Sequence, residues 1–397
     1  MKPVKTFILN SLSGKRTKKK EKGGLMVVRV KTDDIAKALK LCKAVSDKKA
    51  PFTVLSSVLI EPSLEENILY LTATDLEMGC RGRVPAEVEG DFPPFCVPAR
   101  KLYDIVKHFP EDVLCLIRDG NNLTVKSEDE KIVYNLNTIE SNEFPKLPEL
   151  NEKNTVDIPG KDLAELINNT IFCTAREEID FVLEGICFEA LKDEGKLRAV
   201  ASDGYRLVIF DREVEGMENF SVDSFIVGRK AAKQIKEMAE EETVVRFGFA
   251  NNHVVVFTPS FTFYARTIEG AYPDYRSVIP SGSDGVLKVD RRLFMNAVKR
   301  VSLVSSGCFK PVTLELTPQE VVLTSQETDT GKAQVKIGAE YTGENMMVTY
   351  NADYLLDVLQ VMKSEKVEVK VSREKTPAVL TGSEDEGFLY LLMPMVL

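Results

Sequence analysis

The sequence predicts an α+β protein made of three repeats of one unit, each setting two helices against antiparallel sheet. Two observations predict it. An apolar strand end running into an amphipathic helix occurs three times: FCVPARKLYDIVKHF from Phe95 to Phe109, FIVGRKAAKQIKEMAE from Phe225 to Glu240, and MVTYNADYLLDVLQVMK from Met347 to Lys363. The period, about 125 residues, is the length of a domain, whereas small structural repeats recur every 20 to 50 residues or so. The second observation is spacing. Thr74-Asp75, Ser202-Asp203 and Ser325-Gln326 stand at one strand-to-turn position, and 23, 25 and 25 residues separate Asp75, Asp203 and Gln326 from Pro98, Gly228 and Asn351. Three domains also suit a 397-residue chain on a prior of roughly 100 to 200 residues each.

The elements follow in order. Val27 to Val30 reads as a strand, and Thr32 is expected to cap a helix, DDIAKALKLCKAV, that buries Ile35, Leu39, Cys42 and Val45. Alternating runs VLSSVLIEP and ILYLTATDLEMGCRGRV read as strands, and the repeated helix opens at Pro98, a residue favoured in a first turn. VLCLIRDGNNLTVKS and KIVYNLNTI close the unit, with the first hairpin turning at Gly120-Asn121-Asn122. NEFPKLPELNEKN is a linker. The second unit restarts at VDIPGKDLAELINNTIFCT and runs through ICFEALKD, KLRAVASDGYRLVIFDREV and SFIVG to its helix, then VVRFGFA and VVVFTPSFTFYARTI. AYPDYRSVIPSGSDG is the second linker. The third unit runs from LKVDRRLFMNAVKRVSLVS to FLYLLMPMVL. The expected domains are 26–150, 151–281 and 282–397, preceded by a separate extension, 1–25.

That extension carries eight Lys or Arg against one Glu and no apolar periodicity. A basic tail, a targeting peptide and an upstream start codon all fit. The last is favoured, because KKEKGG just before Met26 can be written in purine-rich codons, as a ribosome-binding site would be.

Charge is distributed unevenly. The net charge is -9, which argues against general affinity for a polyanion. Yet the six predicted helices, Thr32 to Val45, Pro98 to Phe109, Pro159 to Cys173, Gly228 to Glu241, Val289 to Val304 and Tyr350 to Lys363, hold about 16 Lys or Arg against about 11 Asp or Glu. If they share one surface, a basic face is backed by an acidic shell. The simpler reading is that these charges only solvate helix faces. Seven cysteines lie in apolar runs without a CxxC pair, a pattern of reduced core thiols rather than disulfides or a zinc site. No stretch reaches the roughly 20 apolar residues of a membrane span, so a soluble protein is expected, and the reduced thiols imply a cytoplasmic one.

The motifs TDLEM (Thr74 to Met78), VPARK (Val97 to Lys101), SDGYRL (Ser202 to Leu207), YPDYR (Tyr272 to Arg276), NxxYLLDVL (Asn351 to Leu359) and MPM (Met393 to Met395) occur in this order. From about Met26 to Leu397 the chain resembles the bacterial DNA polymerase III beta subunits, the sliding clamps. The resemblance implies three clamp domains per chain and a head-to-tail homodimer ring, with helices lining a hole and sheets outside. It implies a DNA replication processivity factor with no catalysis or cofactor of its own, any 3'-5' exonuclease activity belonging to the holoenzyme partner. The implied partners are duplex DNA read without regard to sequence, the clamp loader, and the DNA polymerase III alpha subunit with other proteins carrying a clamp-binding motif.

Carried over residue by residue, DNA contact falls on Lys49, Arg100, Lys101, Arg176, Arg229 and Lys230, cations suited to phosphate. The second-domain loop departs from the family in reading Arg176, Glu177, Glu178, Ile179, Asp180, Phe181 and Val182, and Ser277 replaces a frequently basic residue. A variant clamp with weakened DNA contact, acting mainly as a recruitment platform, is therefore the alternative reading. The implied partner pocket uses Leu183, Ser202, Gly204, Tyr205, Arg206 and Leu207 from the second domain, with Pro273 and Val278 from the linker. The third domain adds Asn351, Tyr354, Leu391, Met393, Pro394 and Met395. Adaptable Met beside Leu, Val and Pro suits short peptides with apolar anchors. On residue type alone Leu183 and Val278 read as core. Pro377 and Val396 depart from common family choices beside the pocket. The implied dimer interface joins first and third domains, with Leu303 and Val304 on the third-domain side.

An enzyme has little to work with. His108 and His253 are far apart in the repeat plan, and no GxxxxGK[ST], HExxH, GxSxG or GxGxxG occurs. Asp75, Asp203 and Asp274 sit in turns, where Asp commonly bonds backbone.

Overall fold

The structure, a computed structural model, describes residues 27–46, 53–89, 93–150, 152–176, 180–305, 309–327, 329, 331–373 and 376–396. The 1–25 extension, Lys49, Glu177 to Ile179 and Cys308 lie outside them.

The first unit comprises β1 (Val27–Lys31), α1 (Thr32–Val45), β2 (Ser57–Ser63), β3 (Ile68–Thr74), β4 (Met78–Glu89), β5 (Phe95–Pro98), α2 (Ala99–Lys107), β6 (Val113–Asp119), β7 (Asn122–Lys126), β8 (Val133–Asn137) and β9 (Ile139–Glu140). The second holds β10 (Thr155–Pro159), α3 (Gly160–Asn168), β11 (Gly185–Leu191), β12 (Lys196–Ser202), β13 (Arg206–Glu213), β14 (Ser224–Gly228), α4 (Arg229–Glu240), β15 (Val244–Ala250), β16 (His253–Phe257) and β17 (Phe261–Arg266). The third holds β18 (Gly285–Asp290), α5 (Arg291–Ser302), β19 (Pro311–Leu316), β20 (Glu320–Ser325), β21 (Gln334–Gly338), β22 (Glu340–Thr342), β23 (Met346–Asn351), α6 (Ala352–Val361), β24 (Lys366–Val371), β25 (Ala378–Gly382) and β26 (Phe388–Leu392).

All strand pairs are antiparallel, and within each unit the two helices pack on one another across a core that includes Ile35, Leu102, Leu166, Ile235, Phe294 and Leu355. The helices are shorter than periodicity suggests. Pro98 and Pro159 end strands instead of opening helices, each occupying the N-cap. Thr32 is the first helical residue, not the cap, and its hydroxyl donates to the Glu111 carbonyl at 2.6 Å. α3 stops at Asn168, and Ile171 to Cys173 form a separate 3-10 turn.

Strand pairing joins the units. β4 of the first unit pairs with β17, the last strand of the second, through Cys80 with Phe263 and Gly82 with Phe261. β13 of the second pairs with β26, the last strand of the third, through Val208 with Tyr390 and Phe210 with Phe388. The turns before β4 and β13 match in detail. Asp75 and Asp203 donate their backbone N–H to Met78 and Arg206 at 3.1 and 3.4 Å, while their carboxylates accept backbone N–H groups of the same turns. The next residue is left-handed in both, Gly204 at φ 87° and Leu76 at φ 76°. Glycine adopts this freely; a leucine there carries roughly 1–2 kcal/mol of strain. In the third unit the corresponding bond runs from Ser325 N–H to the Ala333 carbonyl at 3.0 Å. In the strand register Thr313 faces Thr324 as Leu59 faces Thr72 and Cys187 faces Val200. Ser325 therefore stands level with Ala73 and Ala201 and Gln326 with Thr74, one place short of the expected Asp75, and the third turn, closed earlier, is longer.

Candidate functional site

The junction of second and third units opens into a cavity of about 210 Å³. Ser202, Gly204, Tyr205, Arg206 and Leu207 come from the turn and start of β13, Pro273 and Val278 from the following segment, Leu183 from the loop before β11, and Leu391 and Met393 from the chain end. Val278 is half exposed at the rim and is not core, contrary to the reading from residue type; Leu183, partly buried, lies on the wall. Four expected members are not wall residues. Asn351 is buried and caps α6, its side chain accepting the Asp353 N–H at 2.9 Å. Tyr354 lies beneath Arg206, with the guanidinium 4.1 Å from the ring centre. Pro394 and Met395 continue the chain past the cavity, where Met395 N–H meets the Thr349 carbonyl at 2.8 Å. Sequence reasoning missed Tyr272, Asp274 and Tyr275, which line the cavity with Pro377. The YPDYR motif itself was their signal.

Arg206 is a structural tie as well as a wall. Its side chain is only 5% exposed and bonds Asp203 at 2.9 Å, Asp357 of α6 at 2.8 Å and the Phe172 carbonyl at 2.9 Å. Burial alone would lower its pKa, but its anionic neighbours, including Asp357 and Asp203, outweigh this and raise it. Tyr275 anchors the linker: its hydroxyl donates to Glu189 at 2.7 Å, and burial pushes its pKa up to about 12.

A second, shallower cleft separates first and second units. Arg176, Arg229, Lys230, Lys233 and Arg266 line it with Asp75, Glu77 and Glu184. Lys230 meets Asp75 at 2.6 Å. Arg229 donates to the Thr174 hydroxyl at 2.9 Å, and burial lowers its pKa, with Arg176 and Arg206 adding repulsion. Arg100 and Lys101 are exposed at the start of α2, away from this cleft. Leu303, at the end of α5, is 77% exposed; Val304 follows it, partly exposed.

Family models for DNA polymerase III beta subunits match the chain three times: the N-terminal domain over 26–148, the central domain over 157–274 and the C-terminal domain over 276–396. The chain belongs to the DNA polymerase III beta subunit family. It is thus a sliding clamp, of a non-catalytic family. The beta sliding clamp of Pseudomonas putida is 30% identical over 368 residues, covering 92% of this chain and 98% of that one. That of Pseudomonas aeruginosa is 31% identical over 370 residues, with the same coverage. A crystal structure of the P. aeruginosa clamp bound to griselimycin superposes with a TM-score of 0.86 at 29% identity, covering 94% of this chain and 100% of that one.

The six described cysteines of this clamp are buried free thiols. Among the described residues no helix is long and apolar enough to cross a membrane, and no His, Cys, Asp and Glu group is arranged to hold a metal ion. Asp75, Asp203 and Asp274 are turn residues whose carboxylates accept backbone N–H groups, Asp274 that of Arg276 at 3.3 Å.

Proposed function

We propose that two copies of this clamp close head to tail into a ring around duplex DNA and tether polymerases to it through the cavity between second and third domains. One observation carries the ring. Each internal junction pairs the fourth strand of one domain with the second strand of the closing hairpin of the next, and among the described residues this leaves two strands without that partner: β21 in the third domain and β8 in the first. The register carries over too. Ile132 and Phe261 occupy matching places, since Ser127 and Thr258 make the same pair of bonds to their backbones. With Ala333 opposite Ser325 as Cys80 is opposite Ala73, a second copy would set Ala333 against Tyr134 and Val335 against Ile132. These are apolar pairs on the core-facing side, as Cys80 with Phe263 and Val208 with Tyr390 are in the internal junctions. Tyr134 is 42% exposed, whereas Phe263 and Tyr390 are 0% exposed. Leu303 has a counterpart as well: it and Phe172 follow the first residues of α5 and α3 by the same interval, and Phe172 packs on Tyr390 at 6.1 Å. Leu303 would pack on Tyr134 of the second copy. Heterologous contacts that close make rings.

DNA contact is assigned to Arg100, Lys101, Arg176, Arg229 and Lys230, and to Lys49, with phosphate bonds that carry no sequence information. The apolar cavity suits leucine or phenylalanine anchors of short peptides from the polymerase III alpha subunit, the clamp loader and other partners. The variant reading draws on Lys230 and Arg229, whose cations already have partners within the chain. Native mass in solution tests the ring: twice the 44.3 kDa chain mass is expected at micromolar concentration, and a monomer would refute it.

A further inference from the structure

The junction of first and second domains repeats the pocket-bearing junction residue for residue, but a side chain of the clamp itself fills it. Thr74 stands where Ser202 does: each hydroxyl donates to the carbonyl that opens the next strand, Met78 at 2.7 Å and Arg206 at 2.8 Å, and each accepts a backbone N–H at 3.1 Å. Gly79 pairs with Tyr264 in the same register as Leu207 with Leu391, both of which line the peptide cavity. Each junction also has its own apolar cluster covered by the following linker. Tyr275 and Tyr272 pack at the open one, Leu147 and Leu150 at the closed one.

The difference is steric. Tyr264 is 3% exposed and lies across Gly79, where any β-carbon would collide with its ring. Its hydroxyl reaches 3.4 Å from the Thr74 hydroxyl, and His253 packs edge-on at 5.4 Å. A tyrosine on the last strand of one domain and a glycine on the fourth strand of the other thus exchange an open pocket for a filled one. We infer that this junction is a closed copy of the peptide pocket, with the Tyr264 ring as its built-in occupant, and that Tyr264 limits the clamp to one apolar peptide per chain. The inference rests on the pocket reading given above. The latent site would take the same ligand class, a short peptide with leucine or phenylalanine anchors, more weakly because exposed Arg266 stands on its wall side.

The test is peptide stoichiometry, measured by titration calorimetry on the full-length dimer with a synthetic hexapeptide carrying leucine and phenylalanine anchors. Wild type and Tyr264→Phe should bind one peptide per chain. Tyr264→Leu, which places the Leu391 side chain type at this position, should bind two, and the second should survive Met393→Ala. Tyr264→Met serves as a second open variant, and thermal melting with 4-methylphenol, the tyrosine side-chain analogue, checks that the emptied site is formed: it should raise Tm of the open variants and not of wild type. One site in every folded variant overturns the inference alone. No binding by wild type overturns the pocket reading and the inference with it.

Discussion

The Arg206 guanidinium lies 2.8 Å from the Asp357 carboxylate and 4.1 Å from the Tyr354 ring centre, so one side chain ties the second domain to the third beneath the candidate pocket. Breaking a buried pair by removing one partner costs about 3–5 kcal/mol. Arg206→Met should lose roughly the lower end of that range, because Asp357 is 36% exposed and rehydrates. Urea unfolding measures it; a loss under about 1 kcal/mol would show that the tie is not structural.

Tyr134→Arg is expected to halve the native mass by light scattering, since it buries an unpaired charge in the proposed strand junction. Leu303→Asp should do the same. Both residues are exposed in the single chain, so neither variant should alter the melting of an isolated subunit.

Replacing Met393 with Ala should weaken binding of an apolar-anchored peptide about tenfold or more, as expected for truncating a pocket side chain, while mass and melting stay unchanged. Unaltered affinity would remove the pocket assignment.

Arg100→Ala should lower the salt dependence of DNA binding by about one unit of slope, the effect of losing one phosphate contact. Lys230→Ala should change it less, because Asp75 already neutralises that ammonium. Asp75→Asn should tighten binding by freeing Lys230. Fluorescence anisotropy across a sodium chloride series distinguishes the three.

Tyr275 adds a pH dependence. Burial raises its pKa to about 12, while an unfolded tyrosine ionises near 10. The fold therefore favours the neutral phenol, so this contribution is complete below about pH 10 and is lost as pH rises toward about 12. Denaturant midpoints should fall over that window for wild type and fall less for Tyr275→Phe.

The threefold repeat was legible because each domain must bury the same helix faces, so apolar spacing survives where identity does not. The helix ends were less legible. Prolines that suit a first turn also suit the last residue of a strand, and here they do the latter. The pocket's chain-local members were read from motifs, whereas Asn351 and Tyr354 sit in the right neighbourhood with different tasks, a cap and a stacking base. Nothing in a linear reading shows that Asp75 holds Lys230, since the two are 155 residues apart. That Gln326 stands level with Thr74 and not with Asp75 follows from a longer third turn, which only the strand register exposes.

Topology tests the central claim most directly. Loaded by its clamp loader with ATP onto nicked circular duplex, the labelled clamp should stay bound through gel filtration at moderate salt and be lost once the circle is linearised. Equal retention on circle and linear DNA, or none on either, would contradict a ring that holds DNA by encircling it.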